Sequence, residues 1–471
     1  MRHFVKFNGH KKTVATSLLC VALIISARSA PAQQFKVLID FDGTDGATPV
    51  YPGLVQGVDG NLYGTTLGGG LYGSGTVFRV TPAGKLTTLY SFCTQVNCPD
   101  GSLPQAGLTL ATDGNFYGAT SEGGAYGYGT AFRITPRGVL TTLHSFDLSD
   151  GAEPFAPPIQ ASNGMFYGTT NTGGPNNAGT IYRMSSDGVL TMLHALGGAD
   201  GSLPLGTLVQ ATDGALYGTT QLGGGSCGSI FKTTTGGIFS TLHGFDCSDG
   251  GSPSSGLIQA TDGKLYGTTY IGGTNDTCNN GCGTVFKISL GGSLTTVYNF
   301  DFAHGANPVS ALIQGSDANL YGTTYGGGDG GGWGTIFKLT AGGSLTTLHS
   351  FNLADGAQPY GALAQATGGN FYGTTPNGGS HNDGTLFGIS TGLGAFVSLV
   401  RNPARIGQSF GVLGQKLTGA TGVSVNGKSA SFLVKSDTLL IATVPAGATS
   451  GYVTVTTPSG TFRSNVPLIV K

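Results

Sequence analysis

Between residues 35 and 391, apolar and polar positions alternate in short runs, with none of the 3.6-residue spacing of a helix face, and the runs recur in groups of four. One group shows the plan. Leu108 to Leu110 and Phe116 to Thr120 flank Asp113-Gly114, a strong local signal for a tight hairpin. A glycine-rich loop leads to Thr130 to Ile134, and Pro136-Arg137-Gly138 leads to Leu140 to Phe146. Four strands, each turning back on the last, are predicted for every group.

The groups repeat. A Tyr-Gly-Thr/Ala-Thr phrase stands at Tyr63, Tyr117, Tyr167, Tyr217, Tyr266, Tyr321 and Tyr372, at steps of 54, 50, 50, 49, 55 and 51 residues. Such a step is the length of one four-stranded unit. The expected fold class is all-β, a seven-bladed β-propeller over residues 33 to 391. An outermost-strand pattern follows six of the units, at Leu86, Leu140, Leu190, Ile238, Leu294 and Leu345, and is missing after Ile389. Phe35 to Phe41, ahead of the first unit, has that pattern. The N-terminal strand is therefore expected to complete the last blade and close the ring, where an open β-solenoid would have no use for it.

Composition fits this picture and adds a compartment. With 85 glycines and only 10% charged residues, a chain without a period would read as disordered; here the glycines recur with the turns. Arg2, Lys6, Lys11 and Lys12 precede an apolar stretch from Val14 to Ala27 and a small-residue site at Ala30-Pro31-Ala32, so residues 1 to 32 are expected to be an export signal. A retained anchor is the weaker alternative, and no other stretch suits a membrane span. Removal leaves 17 basic against 23 acidic residues, a net charge of −6 without a basic stripe, which argues against nucleic acid as a partner. The protein is expected outside the cytoplasm, secreted or at the cell surface, with the periplasm also compatible. Six cysteines remain, an even set for an oxidising compartment. The first choice of pairing is local, Cys93 with Cys98, Cys227 with Cys247 and Cys278 with Cys282; a zinc site is disfavoured because no histidine stands at ligand spacing.

The phrase Asp-Gly-x-Leu-Tyr-Gly-Thr-Thr, then Gly-Gly, then Gly-Thr-Val-Phe-Arg, as at Asp59 to Arg79 and Asp262 to Lys287, resembles the GloVer tandem repeat of exported bacterial proteins. The resemblance implies export and often a C-terminal attachment device, and no agreed activity. This chain ends at Lys471 without an apolar tail, so direct C-terminal attachment to a membrane is not expected. The stretches Gly419 to Ala430, Ala442 to Gly447 and Val453 to Gly460 resemble an IPT/TIG immunoglobulin-like domain, which implies a small β-sandwich at 394 to 471 acting as a spacer or contact module.

Candidate chemistry is sparse. A second Asp-Gly precedes each unit, at Asp45, Asp100, Asp150, Asp200, Asp249 and Asp355, with His304 in the sixth place. A ring of these carboxylates at the channel mouth is one reading, but Asp before Gly with Pro beyond is what a turn requires, and the turn is the expectation. His144, His194, His243 and His349 share a repeat position whose other occupants include Tyr90, Tyr298 and Ile39, which favours packing over metal binding. No metal, cofactor or catalytic residue is assigned. The loops between second and third strands differ most and carry Tyr126, Tyr128, Asp329 and Trp333, a mixture suited to sugar rings. The expected function is therefore non-catalytic binding of glycan or another surface polymer, through Tyr126, Tyr128, Trp333, Asp329, His304 and Asp355. Two alternatives are kept: a polysaccharide hydrolase or lyase using His304, Asp329 and Asp355, and a structural or protein-partner-binding module.

Overall fold

A computed structural model describes residues 1–6, 9, 33–49, 53–275 and 277–471. The apolar stretch and cleavage site of the expected export signal, and Asp276 of the fifth variable loop, lie outside the described residues. Among those described, the fold is all-β, in nine four-stranded antiparallel sheets with two single-turn 3-10 segments. Seven sheets come from the repeats. In the first, Val55–Gln56, Leu62–Thr66, Thr76–Val80 and Leu86–Ser91 pair in chain order. The last takes its fourth strand from the other end of the chain: Gln34–Asp40 pairs antiparallel with Thr385–Ser390.

The repeated phrase has a physical reason at each letter. In the hairpin turn the aspartate holds the tyrosine, as where Tyr63 donates its phenol to Asp59 at 2.9 Å. The tyrosine ring packs across to the next sheet, 4.2 Å between centroids for Tyr63 and Phe116. Glycine follows because Phe78, its cross-strand partner, folds its ring over it; a Cβ on Gly64 would sit 2.7 Å from that ring and 2.8 Å from Leu54. The glycine thus admits an aromatic of its own sheet. The final threonine is buried and shares a hydrogen bond with a threonine or serine on the third strand, as in Thr170 with Thr180 at 2.9 Å.

Successive sheets are joined twice. The loop aspartate links them on one side: Asp150 accepts from His144 of the sheet behind at 2.7 Å, and its backbone carbonyl accepts Thr180 Oγ1 of the sheet ahead at 2.9 Å. His194–Asp200, His243–Asp249, His349–Asp355 and Tyr90–Asp100 repeat the side-chain contact at 2.7–3.0 Å. These carboxylates are bound to outermost strands and form no ring at the channel mouth. On the other side lies a relay of glutamines from the short first strands. Gln160, Gln210, Gln259, Gln314, Gln365 and Gln56 accept from backbone N–H groups of Thr112, Ser162, Thr212, Thr261, Ser316 and Thr367 in the neighbouring turns, at 2.8–3.0 Å. The last of these joins the first repeat to the last. Near the axis the lead-in segments meet backbone to backbone, Gly256 against Thr207 for example. The crevice left among Gly206, Thr207, Ser255, Ser310 and Tyr360 is about 20 Å³, room for roughly one water.

Two further sheets follow residue 394 and enclose one core, with Phe410, Val412 and Leu440 from one and Val423, Val453 and Val455 from the other. This sandwich stands on the hairpin-turn side of the repeats, where Phe396 donates to the Thr367 carbonyl and Thr438 to that of Val58. The cysteines pair locally as expected: Cys93–Cys98, Cys227–Cys247 and Cys278–Cys282 stand at disulfide distance. No helix among the described residues is long and apolar enough to cross a membrane.

Two outcomes test this scaffold. Thr180→Val, nearly isosteric, strands the Asp150 carbonyl, while the Thr170 hydroxyl keeps the Thr172 carbonyl and the N–H of residue 180; it should cost about 1–3 kcal/mol, read as a lower urea midpoint with unchanged slope. His349 is held below its ordinary value of 6.5 by burial, which outweighs the opposing charge and hydrogen bond of Asp355. The folded protein therefore binds this proton more weakly than the unfolded chain, so its stability is full above pH 6.5 and falls as pH drops through the histidine range. His349→Gln should flatten that part of a melting-temperature profile between pH 8 and 5.

Candidate functional site

The loop entering each repeat is built by a short capping pattern. In the loop before the third repeat, Asp147 accepts the N–H groups of Ser149 and Asp150, and Asp150 accepts that of Asp147. This leaves the second Asp150 oxygen to reach His144 through Nε2. The pattern consumes both groups: the histidine and aspartate side chains are each 22% exposed. Equivalent histidines in three other loops are held the same way.

The loop before the sixth repeat departs from this plan. Its sequence is Phe300-Asp301-Phe302-Ala303-His304-Gly305, with histidine where the linking aspartate belongs, and the outer strand behind it offers Tyr298 rather than histidine. His304 folds back on the loop. Its backbone N–H donates to Asp301 Oδ1 at 2.9 Å, and its ring Nδ1 lies 2.8 Å from Asp301 Oδ2 and 3.0 Å from Oδ1. The imidazole is 52% exposed. Burial raises the Asp301 pKa, but the backbone and ring hydrogen bonds from His304 outweigh it and hold the carboxyl below its usual range. Asp301 is thus a carboxylate, an acceptor only, so Nδ1 carries the proton and Nε2 presents its lone pair outward. Beside them the Tyr298 phenol is pushed up, first by burial and then by the Asp301 charge.

Neighbouring segments turn this pair into a site. The Phe302 carbonyl accepts the Gly328 N–H at 2.7 Å, and the His304 carbonyl accepts Thr335 Oγ1 at 3.3 Å, so the entering loop is fastened to the loop between second and third strands of the same sheet. Phe302, at positive φ, leaves its ring 48% exposed, within 3.4 Å of where a side chain on Gly332 would begin. Trp333 is half-buried against the core around Tyr321 and Phe351, and Asp329 is exposed. An imidazole oriented by a carboxylate, an aromatic surface and a second carboxylate, Asp329, therefore share two fastened loops.

Of the residues expected to bind ligand, His304, Asp329 and Trp333 lie on these adjoining loops. Asp355 does not join them, because its carboxylate is taken by His349 in the loop before the seventh repeat. Tyr126 and Tyr128, 62% and 38% exposed, stand on the equivalent loop of the second repeat. Sequence reasoning passed over Asp301, Phe302 and Tyr298. The signal was present: aligning the chain's own repeats shows a histidine replacing the linking aspartate while the first aspartate of the loop stays. No group of three or more histidine, cysteine or acidic side chains suited to a metal ion occurs among the described residues.

Solved structures similar to this chain include three propellers. A gluconolactonase from Xanthomonas campestris is 12% identical, covering 60% of this chain and 83% of its own, with a TM-score of 0.38. A Bacteroides uniformis protein provisionally assigned as a 6-phosphogluconolactonase is 18% identical, covering 66% and 88%, at 0.46. A luciferin-regenerating enzyme is 12% identical, covering 77% and 97%, at 0.41. All three are named for catalysis, and on that finding the expectation of a non-catalytic glycan binder is corrected; at these identities and TM-scores the likeness brings no activity and no substrate to this chain. Among curated proteins no match is found. The profile of the Gloeobacter/Verrucomicrobia repeat matches residues 25–163, 149–279 and 226–456. Since those segments together run over most of its 471 residues, the chain belongs to the Gloeobacter/Verrucomicrobia repeat family.

Proposed function

We propose that this protein is an exported hydrolase acting on polysaccharide, with His304 as its base and Asp301 as the group that orients it. The architecture proposed for it is a signal at residues 1 to 32, a seven-bladed propeller at 33 to 391 and an IPT/TIG-like immunoglobulin sandwich at 394 to 471. The hydrogen bond from Thr367 to Gln56 supports a closed ring, and the three cysteine pairs suit an oxidising compartment outside the cytoplasm.

The observation that carries the catalytic reading is the reversal of ring nitrogens in the sixth loop. Four histidines spend Nε2 on a structural aspartate; His304, whose side chain is 52% exposed, spends Nδ1 and leaves Nε2 without a hydrogen bond to any described residue. In that orientation Nε2 takes a proton from water as the water oxygen bonds to an acyl carbon, and returns it to the departing alkoxide when the ester C–O bond breaks. Asp301 stabilises the imidazolium between those steps. Glycosidic hydrolysis ordinarily needs two carboxyl groups flanking the bond, and Asp301 is committed to His304. An acyl ester carried on a sugar polymer therefore fits better than the glycosidic bond itself. Phe302 and Trp333 supply the surface on which a sugar ring rests.

Turnover of acetylated polysaccharides, followed as acid release, tests this. His304→Ala should lower kcat/KM by about 10²- to 10⁴-fold, Asp301→Asn should lower kcat by disfavouring the reactive tautomer, and Trp333→Ala should act chiefly on KM. His144→Ala, at a structural pair, should lose stability and keep its rate. Undiminished turnover in a folded His304→Ala protein would sink the proposal. A partner-binding role has one specific observation in its favour: Leu71, Tyr72, Val96 and Tyr126 are exposed apolar side chains on loops of the first two repeats. That reading expects Tyr126→Ser to abolish capture of a protein partner while acid release is unchanged.

A further inference from the structure

The second repeat breaks the symmetry on the opposite side, where the sandwich stands. Leu110 occupies the place held by glutamine in the other six repeats, so the neighbouring turn at Val58 receives no side-chain amide. That turn engages the sandwich instead: the Val58 carbonyl accepts Thr438 Oγ1 at 2.7 Å, and the Thr438 methyl lies 2.8 Å from where a side chain on Gly60 would begin. Beside this contact the two domains leave a crevice of about 460 Å³, bordered by Val58 and Thr112 from the repeats and by Val400, Arg401, Phe410 and Ile441 from the sandwich. Its volume falls within the range of small-molecule sites, roughly 300–1,000 Å³, and clefts between domains are where such sites concentrate.

Val58, Val400, Leu439 and Ile441 give the crevice its apolar lining, Thr112, Ser409 and Asp113 its polar one, and Arg401 is its one cation. That side chain is half-buried, and no described residue offers it a hydrogen bond or ion pair. Asp113 also borders the crevice, but its carboxylate accepts from Asn115 and Tyr117. A guanidinium cannot shed its charge, and leaving it partly desolvated without a counter-ion is unfavourable. We infer that this crevice is a binding site for a small amphiphilic carboxylate, whose apolar tail lies along Val58, Leu439 and Ile441 and whose head is gripped by the N–H fork of Arg401. The site is separate from the sixth-repeat loops and does not depend on the proposed hydrolysis.

Calorimetric titration of the full chain with sodium octanoate is the test, with acetate and octylammonium as comparison probes. One saturable site for octanoate is expected, with acetate much weaker for want of a tail and octylammonium unbound for want of a negative charge. Arg401→Gln should weaken octanoate roughly tenfold or more, and Arg401→Lys, which keeps the charge and loses the fork, by less. If Arg401→Gln fails to fold, nuclear Overhauser contacts from octanoate to the Leu439 and Ile441 methyls of the wild-type chain decide the matter. Absence of those contacts, equal affinity in Arg401→Gln, or equal binding of octylammonium would each overturn the assignment.

Discussion

The structure depends on one residue used in two directions, the aspartate that begins the turn into each repeat. A single four-stranded sheet with a two-residue innermost strand has little core of its own, so each sheet is stable only against its neighbours. The aspartate makes that dependence specific. Its carboxylate grips the outer strand already laid down, and its carbonyl receives the buried threonine of the sheet to come. Tyrosine, glycine and threonine in the repeated phrase all serve the same junction: the tyrosine packs forward, the glycine makes room for an aromatic partner, and the threonine carries the hydrogen bond inward.

A repeat maintained by such links tolerates a changed link only where other bonds hold the loop. In the sixth loop the backbone carbonyl bond survives the replacement, since Thr335 still reaches the carbonyl of residue 304. The loop also keeps its fastening to Gly328. Only the side-chain half of the link is given up, and with it the tie to Tyr298. That surrender frees an imidazole and at the same time leaves Asp301 to orient it. The proposed catalytic pair thus arises from the scaffold's own turn by one substitution, and its rigidity is inherited from bonds that do not involve the imidazole ring.

Much of the scaffold was legible in the sequence because its signals are local. Asp-Gly turns, alternating strands and the strand pattern at Phe35 each lie within a few residues, and the local cysteine spacings left little choice of pairing. The partnership of His144 with Asp150 was not legible, although both had been noticed as recurring, because periodicity shows that two positions recur and not that they touch. The same limit hid Asp301, whose role depends on which ring nitrogen His304 turns toward it. What covers Gly64 was hidden for a related reason: alternation places a residue on a face, and only the third-strand register shows that Phe78 lies over it.

What remains is where chemistry has room to occur. The axis, where a ring of sheets would offer a shared cavity, is closed by backbone contact among the lead-in segments, with about 20 Å³ left beside them. The hairpin-turn side is covered by the sandwich, whose contacts reach Val58 and Thr367 in the first and last repeats. Symmetry-related positions elsewhere are consumed by links that hold the sheets together. Chemistry is left to the positions where the repeat is broken, and the two described above face opposite ways: His304 on the open loops, and Leu110 under the sandwich. One break supplies the imidazole and aromatic surface of the proposed hydrolytic site. The other adjoins the crevice between domains where Arg401 would hold the head of the proposed small ligand.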